Sequence, residues 1–250
     1  MRNLFDKTYE DIFRHLVQAQ LDKAEQKERQ AGKWCAFWPA VGHQYRRGGV
    51  MMVGRALNGW EETTFATKQA RSDDGIVAEK CRKSFVFGPE CPVSWVESNW
   101  GRGQEYSTGR SALWRMAKKL IEFYGHSGEG WSGYLCWNNL MRLSPAPGGN
   151  PPAWSCNAQL PHARELLERE INLLAPGVII AFVGKDWFDW FVADGEQIAN
   201  VKPVSGCRYV TGVGDMCGAP VVVAPHPMKK KEDVLMSELK RFIPSVLHES

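Results

Sequence analysis

"LLEREINLLAPGVIIAFVG", residues 166–184, is the stretch on which the fold turns. Leu167, Ile171 and Leu174 continue a helical spacing begun at Leu160 and Ala163, which predicts a helix over about 158–174. "GVIIAFVG" (177–184) then runs apolar without alternation, the pattern of a strand buried on both faces. A helix leading into such a strand is half of a βαβ unit, and the rest of the chain repeats the theme.

Working outward, "GGVMMVG" (48–54), "GYLCW" (133–137) and "PVVVAP" (220–225) read as three further buried strands. A first helix over 4–29 carries Leu4, Phe5, Tyr9, Ile12, Phe13, Leu16 and Leu21 at helical spacing. A second starts at Thr108 as N-cap and turns Leu113, Met116, Leu120, Ile121 and Tyr124 to one face. Further helices are expected from near Lys185 and from about Glu232 to Phe242. Residues 61–107 show little periodicity and many turn formers, and read as a long irregular insertion. "CRYVTGVGDMCG" (207–218) takes no clear assignment. Strands alternating with helices give an α/β fold: a three-layer α/β/α sandwich around a central, mainly parallel four-stranded sheet, in one domain over 1–250. In such sheets reactive groups gather beyond the carboxyl ends of the strands. "GRALNGWEE" follows the first strand, "NNLMRLSPAPGGNPP" the second, and "HPMKKK" the last.

Composition narrows the class. The 250 residues carry a formal charge of +3, so a nucleic-acid surface has to come from local clustering. Seven cysteines without a C-x-x-C pair argue against a zinc or dithiol motif and suit reduced thiols in a cytosol. No apolar run approaches the ~20 residues that span a bilayer. "MRNLFDKTYEDIF" is amphipathic and rich in acid, unlike a signal peptide. The expectation is a cytoplasmic protein without membrane contact, with a monomer as the default. Of the 11 tryptophans, Trp34, Trp38, Trp60, Trp95, Trp100, Trp131 and Trp154 fall in irregular stretches. They serve either as packing or as platforms for unpaired bases.

Read together, the three loops resemble those of the uracil-DNA glycosylase superfamily, most closely its iron–sulfur branch. Gly54-Arg55-Ala56-Leu57-Asn58-Gly59-Trp60-Glu61 looks like the water-activating loop G-E-A-P-G-x-x-E. Asn139 to Pro145, continued by Gly149-Asn150-Pro151-Pro152, is similar to N-x-x-K-C-R-P-P-G-N-R-x-P, and His226-Pro227 supplies the terminal His-Pro. The likeness covers most of 48–60 and 108–242. It departs from the branch where Leu143 replaces the K-C-R-P cysteine and where the paired N-terminal cysteines are absent. Cys156 alone cannot supply the four ligands of a cluster, so no iron–sulfur centre, metal or other cofactor is expected. Arg55 stands in the acidic position and Leu57 in that of the proline.

The resemblance implies a DNA glycosylase that hydrolyses the N-glycosidic bond of a flipped-out uracil or modified pyrimidine and leaves an abasic site. His226 then donates to the charge developing on the base, although a histidine after a buried strand is often only structural. Gly54, Arg55, Ala56, Tyr106 and Asn139 line the base, with Asn139 reading its edge and Tyr106 stacking on it. A turn-forming Asn139 beside Asn138 and a core Tyr106 are the alternatives. Asn58 or the carboxylates of Glu61 and Glu62 position the water. Met228 acts as a wedge in the vacated stack, and Lys229, Lys230 and Lys231 face phosphates, where a solvated lysine run is the plainer reading. Two other functions remain open. The remodelled first loop and the insertion suit a bulkier base, such as glucosylated hydroxymethylcytosine in phage DNA, which makes the enzyme an antiviral factor. A cytosine-type leaving group needs protonation, so a true general acid is then required. The other is a nucleic-acid-binding protein without catalysis on the same scaffold.

Overall fold

The computed structural model describes residues 4–27, 32–73, 75–85, 91–101, 106–193 and 198–245. The chain opens with α1 (Lys7–Gln26), whose first turn is capped by Asp6 accepting the Tyr9 N–H at 2.9 Å. Then come β1 (Lys33–Ala36), β2 (Ala40–Val41) and β3 (Val50–Gly54). Residues 61–107, expected to be irregular, instead carry β4 (Thr64–Ala66), α2 (Thr67–Ser72), α3 (Gly75–Phe85) and α4 (Trp95–Ser98). Positions 74, 86–90 and 102–105 of that insertion, and residues 28 and 29 of the expected first helix, lie outside the described residues. The chain continues through α5 (Ala112–Phe123), β5 (Leu135–Asn139), β6 (Leu143–Pro145), α6 (Ala153–Leu174), β7 (Val178–Ala181) and α7 (Lys185–Val192). It closes with β8 (Ala199–Pro203), β9 (Gly212–Met216), β10 (Ala219–Val223) and α8 (Glu232–Leu239).

The chain divides into two compact units, each assembled from three segments. Unit one comprises residues 1–39, 55–88 and 139–173. Its small antiparallel sheet has the order β4–β1–β6, with Trp34 opposite both Phe65 and Pro145. Tyr9, Phe13 and Leu16 of α1 are buried, as the spacing predicts. Trp38 stacks on Phe5 at 4.9 Å and meets the rings of Tyr9 and Phe13 edge-on.

Unit two comprises residues 40–54, 89–138 and 174–250 and holds the seven-stranded sheet, order β2–β5–β3–β7–β10–β9–β8. β3, β7 and β10 pair in parallel, and every residue of β7 is buried, as a strand covered on both faces requires. The four strands expected from sequence are contiguous at its centre in the order second, first, third, fourth. The expectation of four strands is too small, because β2 adds antiparallel to β5 and the β9–β8 ribbon adds antiparallel to β10. Met216 and Ala219 close the β9–β10 hairpin through Cys217 and Gly218, both at positive φ (51° and 79°), the two-residue turn that matches strand twist. Thr108 does not cap α5. Its hydroxyl donates instead to the Val96 carbonyl at 2.5 Å, and Ser111 is the residue preceding the helix.

Candidate functional site

The parallel core of unit two fixes the carboxyl edge of the sheet. Val53 pairs with Ala181 and Ala181 with Val223, so Gly54, Phe182 and Ala224 leave the sheet at one level. The ladder continues past the strands: the Phe182 N–H donates to Val53 at 2.9 Å, and the Ala224 N–H to Ala181 at 3.0 Å. Gly54 and Ala224 are two strands apart, roughly 10 Å at the ordinary strand spacing.

His226 stands two residues beyond that edge, between Pro225 and Pro227, and is half-exposed. Its Nδ1 accepts the backbone N–H of Met228 at 3.2 Å. A neutral imidazole that accepts at Nδ1 carries its proton on Nε2, so the outer nitrogen is an N–H donor. The Lys230 N–H donates to the Pro227 carbonyl at 2.9 Å and closes a turn with Lys229 at φ 61° in its third position. Such turns normally place glycine there, because a Cβ at positive φ costs about 1–2 kcal/mol. Met228 is 62% exposed at the tip, with Lys229 and Lys231 also in solvent.

Tyr209 supports this turn from beneath. Its hydroxyl accepts the Lys231 N–H at 3.2 Å, the Lys230 Nζ sits 6.0 Å from its ring, and the Arg208 guanidinium lies 5.4 Å from it. The segment is anchored in turn by Glu238 of α8, which accepts the N–H groups of Arg208, Tyr209 and Val210 at 2.6, 2.8 and 3.0 Å. Burial pushes the Glu238 carboxyl up, but these three donors, with Arg241 nearby, hold it below the ordinary carboxylate range. Sequence reasoning missed Arg208, Tyr209 and Glu238: the first two fall in the unassigned stretch, and a helical glutamate shows no sign of its tertiary partners.

Tyr106, also in unit two, is 52% exposed, so it is not a core residue. Its ring lies 6.2 Å from Trp95, which meets Trp114 edge-on at 5.2 Å and Trp137 at 6.1 Å. A platform of packed indoles thus backs one exposed aromatic face.

The other expected residues belong to unit one. Arg55 accepts the Met141 N–H on its carbonyl at 2.8 Å, tying the loop after β3 to the loop after β5. A second tie follows: Asn58 Oδ1 accepts the Gly149 N–H at 2.8 Å. Gly148 makes this approach possible, since a Cβ there would lie 3.0 Å from the same oxygen and its φ is 98°. Ala56 is half-exposed and Asn139, the last residue of β5, is buried. Glu61 and Glu62 are exposed at the start of a short 3-10 turn, where Glu62 accepts the Ser84 hydroxyl at 2.7 Å. Behind the second loop, Arg142 and Glu170 form a fully buried ion pair at 2.7 Å, and the Tyr9 hydroxyl donates to the same carboxylate at 2.5 Å. Gln159 completes the support by accepting the N–H groups of Arg142 and Leu143 at 3.1 and 2.8 Å.

The expected residues therefore fall into two sets. Gly54, His226, Met228 and the three lysines share the strand-end edge of unit two, and the Arg55, Ala56, Asn58 and Asn139 loops are laced together within unit one. Trp34, Trp38 and Trp131 are buried packing residues. Cys156 is a buried thiol donating to the Pro151 carbonyl at 3.3 Å, and burial pushes it up to about 11. Among the described residues no group of three or more His, Cys, Asp and Glu side chains is placed to hold a metal, and no helix is long and apolar enough to cross a membrane. Two open clefts of unit one run along α2 and α3, and of the expected site residues only Glu62 lines either. No family model matches the chain, and no curated protein matches it.

Chemically, the unit-two edge presents one oriented N–H donor, an exposed apolar tip and a cluster of cations. That combination suits an anionic polymer and a reaction in which negative charge develops on an acceptor atom.

Proposed function

We propose that the chain is a DNA glycosylase that releases a pyrimidine, uracil or a modified form, and leaves an abasic site. The observation that carries this reading is the hydrogen bond from the Met228 N–H to His226 Nδ1 at 3.2 Å. In a neutral imidazole this bond puts the proton on Nε2, and the ring stands beyond the carboxyl end of β10. As the glycosidic bond lengthens, charge accumulates on the base oxygens, and a fixed N–H donor stabilises it at no cost in reorganisation. Met228 and the lysines beside it have the apolar and cationic character needed to replace an extruded base and to hold its phosphates. Within unit two, Tyr106 offers an exposed aromatic face on which a base stacks. Within unit one, Asn58 spends its amide oxygen on Gly149 and Glu62 accepts from Ser84, which makes Glu61 the carboxylate to test.

One observation favours the reading without catalysis. Asn58 acts as a loop tie in this fold, so the first loop is explained structurally without a role in hydrolysis. The two readings separate in an abasic-site cleavage assay. A labelled duplex carrying uracil, hydroxymethylcytosine or glucosylated hydroxymethylcytosine is incubated with the protein, and the abasic product is cut with alkali. Release of one base, lost in His226→Ala, supports the enzyme. Duplex binding without product from any substrate supports the binding protein. Release of only the cytosine-type bases, with Glu61→Gln inactive, selects the antiviral form and identifies its general acid.

A further inference from the structure

The stretch 207–210, unassigned from sequence, lies along α8. The Arg241 Nη1 reaches the Cys207 Sγ at 3.3 Å near the end of that helix, and Tyr209 meets Lys231 at its start. Five cations lie around this stretch and the His226 turn: Arg208, Lys229, Lys230, Lys231 and Arg241. None of them forms a salt bridge among the described residues. The local acids are already engaged. Glu232 pairs with Arg115 and Lys119, Asp233 pairs with Lys119, and Glu238 is spent on the three backbone N–H groups. A row of like charges repels itself, and only its contacts with the rings of Tyr209 and Phe242 offset that cost. Here it is nevertheless built on a rigid support, since Glu238 and Tyr209 fix the backbone that carries Arg208 and Lys231.

We propose that this row is a binding strip for the phosphate backbone of one strand of duplex DNA. It extends the His226 turn along the full length of α8. Eight residues of helix measure roughly 12 Å, the rise of three to four nucleotides of one strand at about 3.4 Å each. Binders of single strands interleave cations with exposed aromatic faces, on which bases stack. Among the described residues this strip carries no fully exposed aromatic: Tyr209 is buried under the cations, and Phe242 is half-buried beneath the Arg241 guanidinium at 5.3 Å. Cations without stacking faces suit a duplex, whose bases are already stacked. The inference rests on the reading of the chain as a DNA enzyme, and it names the form of that substrate.

The test is fluorescence anisotropy with an undamaged 20-base-pair duplex and with one of its strands, at several sodium chloride concentrations. Wild type is compared with Arg208→Ala/Arg241→Ala and with Lys33→Ala/Lys68→Ala, which removes the same charge from unit one. Matched melting temperatures establish that all three are folded. Each phosphate contact contributes about 0.9 to the slope of log K against log salt on duplex, and about 0.7 on a single strand. The strip variant is expected to lose about 1.8 from the duplex slope, and the control to keep the wild-type slope. An unchanged slope in the strip variant, an equal loss in the control, or tighter wild-type binding to the single strand overturns the proposal. Base release is scored separately. A strip-dependent slope with no base released leaves the strip standing and removes the enzyme, whereas release with an unchanged slope does the reverse.

Discussion

Replacing Glu170 with leucine will destabilise the protein far more than the loss of one contact suggests. Glu170 and Arg142 have no exposed side-chain surface, and the carboxylate receives both the guanidinium at 2.7 Å and the Tyr9 hydroxyl at 2.5 Å. Glu170→Leu strands a charge in the core, and losing one member of a buried pair costs about 3–5 kcal/mol. Tyr9→Phe removes a hydrogen bond to a charged acceptor and costs about 1.5–3 kcal/mol. Burial already drives the Tyr9 phenol well above its usual range, with Glu170 adding to the effect, so the hydroxyl stays protonated and donates. With Glu170 gone, the hydroxyl has lost this acceptor. Tyr9→Phe on the Glu170→Leu background is therefore expected to cost about 0–0.5 kcal/mol, because a buried hydroxyl without its acceptor contributes little to stability. The coupling energy is then about 1–3 kcal/mol, within the range found for residues in one network. Adding Arg142→Met to make the site wholly apolar should recover much of the loss. Urea denaturation followed by far-ultraviolet circular dichroism measures all of these. Equal costs for Tyr9→Phe in the two backgrounds, or less than about 1 kcal/mol for Glu170→Leu, refutes the coupled network.

Lys229→Gly relieves the positive φ of 61° and should raise stability by up to about 1 kcal/mol, net of glycine's greater entropy, with a rise in melting temperature as the readout. Asn58→Ala removes the tie to Gly149 and should cost about 1 kcal/mol, whereas Asn58→Asp, which keeps the acceptor, should cost little. If base release falls equally in both variants, Asn58 has a chemical role beyond the tie. Cys156 binds its proton more tightly folded than unfolded, so its contribution to stability is present below the ordinary thiol value of 9.0 and fades between there and about 11. Denaturant titrations should show that loss on raising pH, and Cys156→Ala should lack it. A rise over the same interval contradicts the assigned burial.

The four central strands were legible because β3, β7, most of β5 and Val221–Val223 of β10 are apolar runs buried on both faces. β9 was not legible, for a physical reason: "GVGDM" reads as loop because it holds two glycines, yet the pairing with β8 demands one of them. A Cβ on Gly214 would lie 1.9 Å from the Asn200 carbonyl oxygen. β2 has only two residues and β6 ends in Pro145, so their strand character comes from β5 and β1. The helix α3 was hidden by its charges, although Val77, Ala78, Cys81 and Phe85 do mark one buried face. At the site, His226 and its lysines were legible from their place after an apolar strand. The tautomer of His226 was not, since it depends on a backbone N–H two residues away. Nor was the approach of Arg208 to Lys231 and Arg241, which depends on the hold of Glu238 on the 208–210 backbone.

In the proposed reaction His226 donates to a departing base. The most direct measurement is single-turnover base release by wild type, His226→Gln and His226→Ala on a duplex carrying the preferred base. Loss of one preorganised donor lowers such rates by about 10²–10³. That loss is expected in His226→Ala, with partial recovery in His226→Gln and duplex affinity unchanged in both. Base release at the wild-type rate from His226→Ala contradicts that donation.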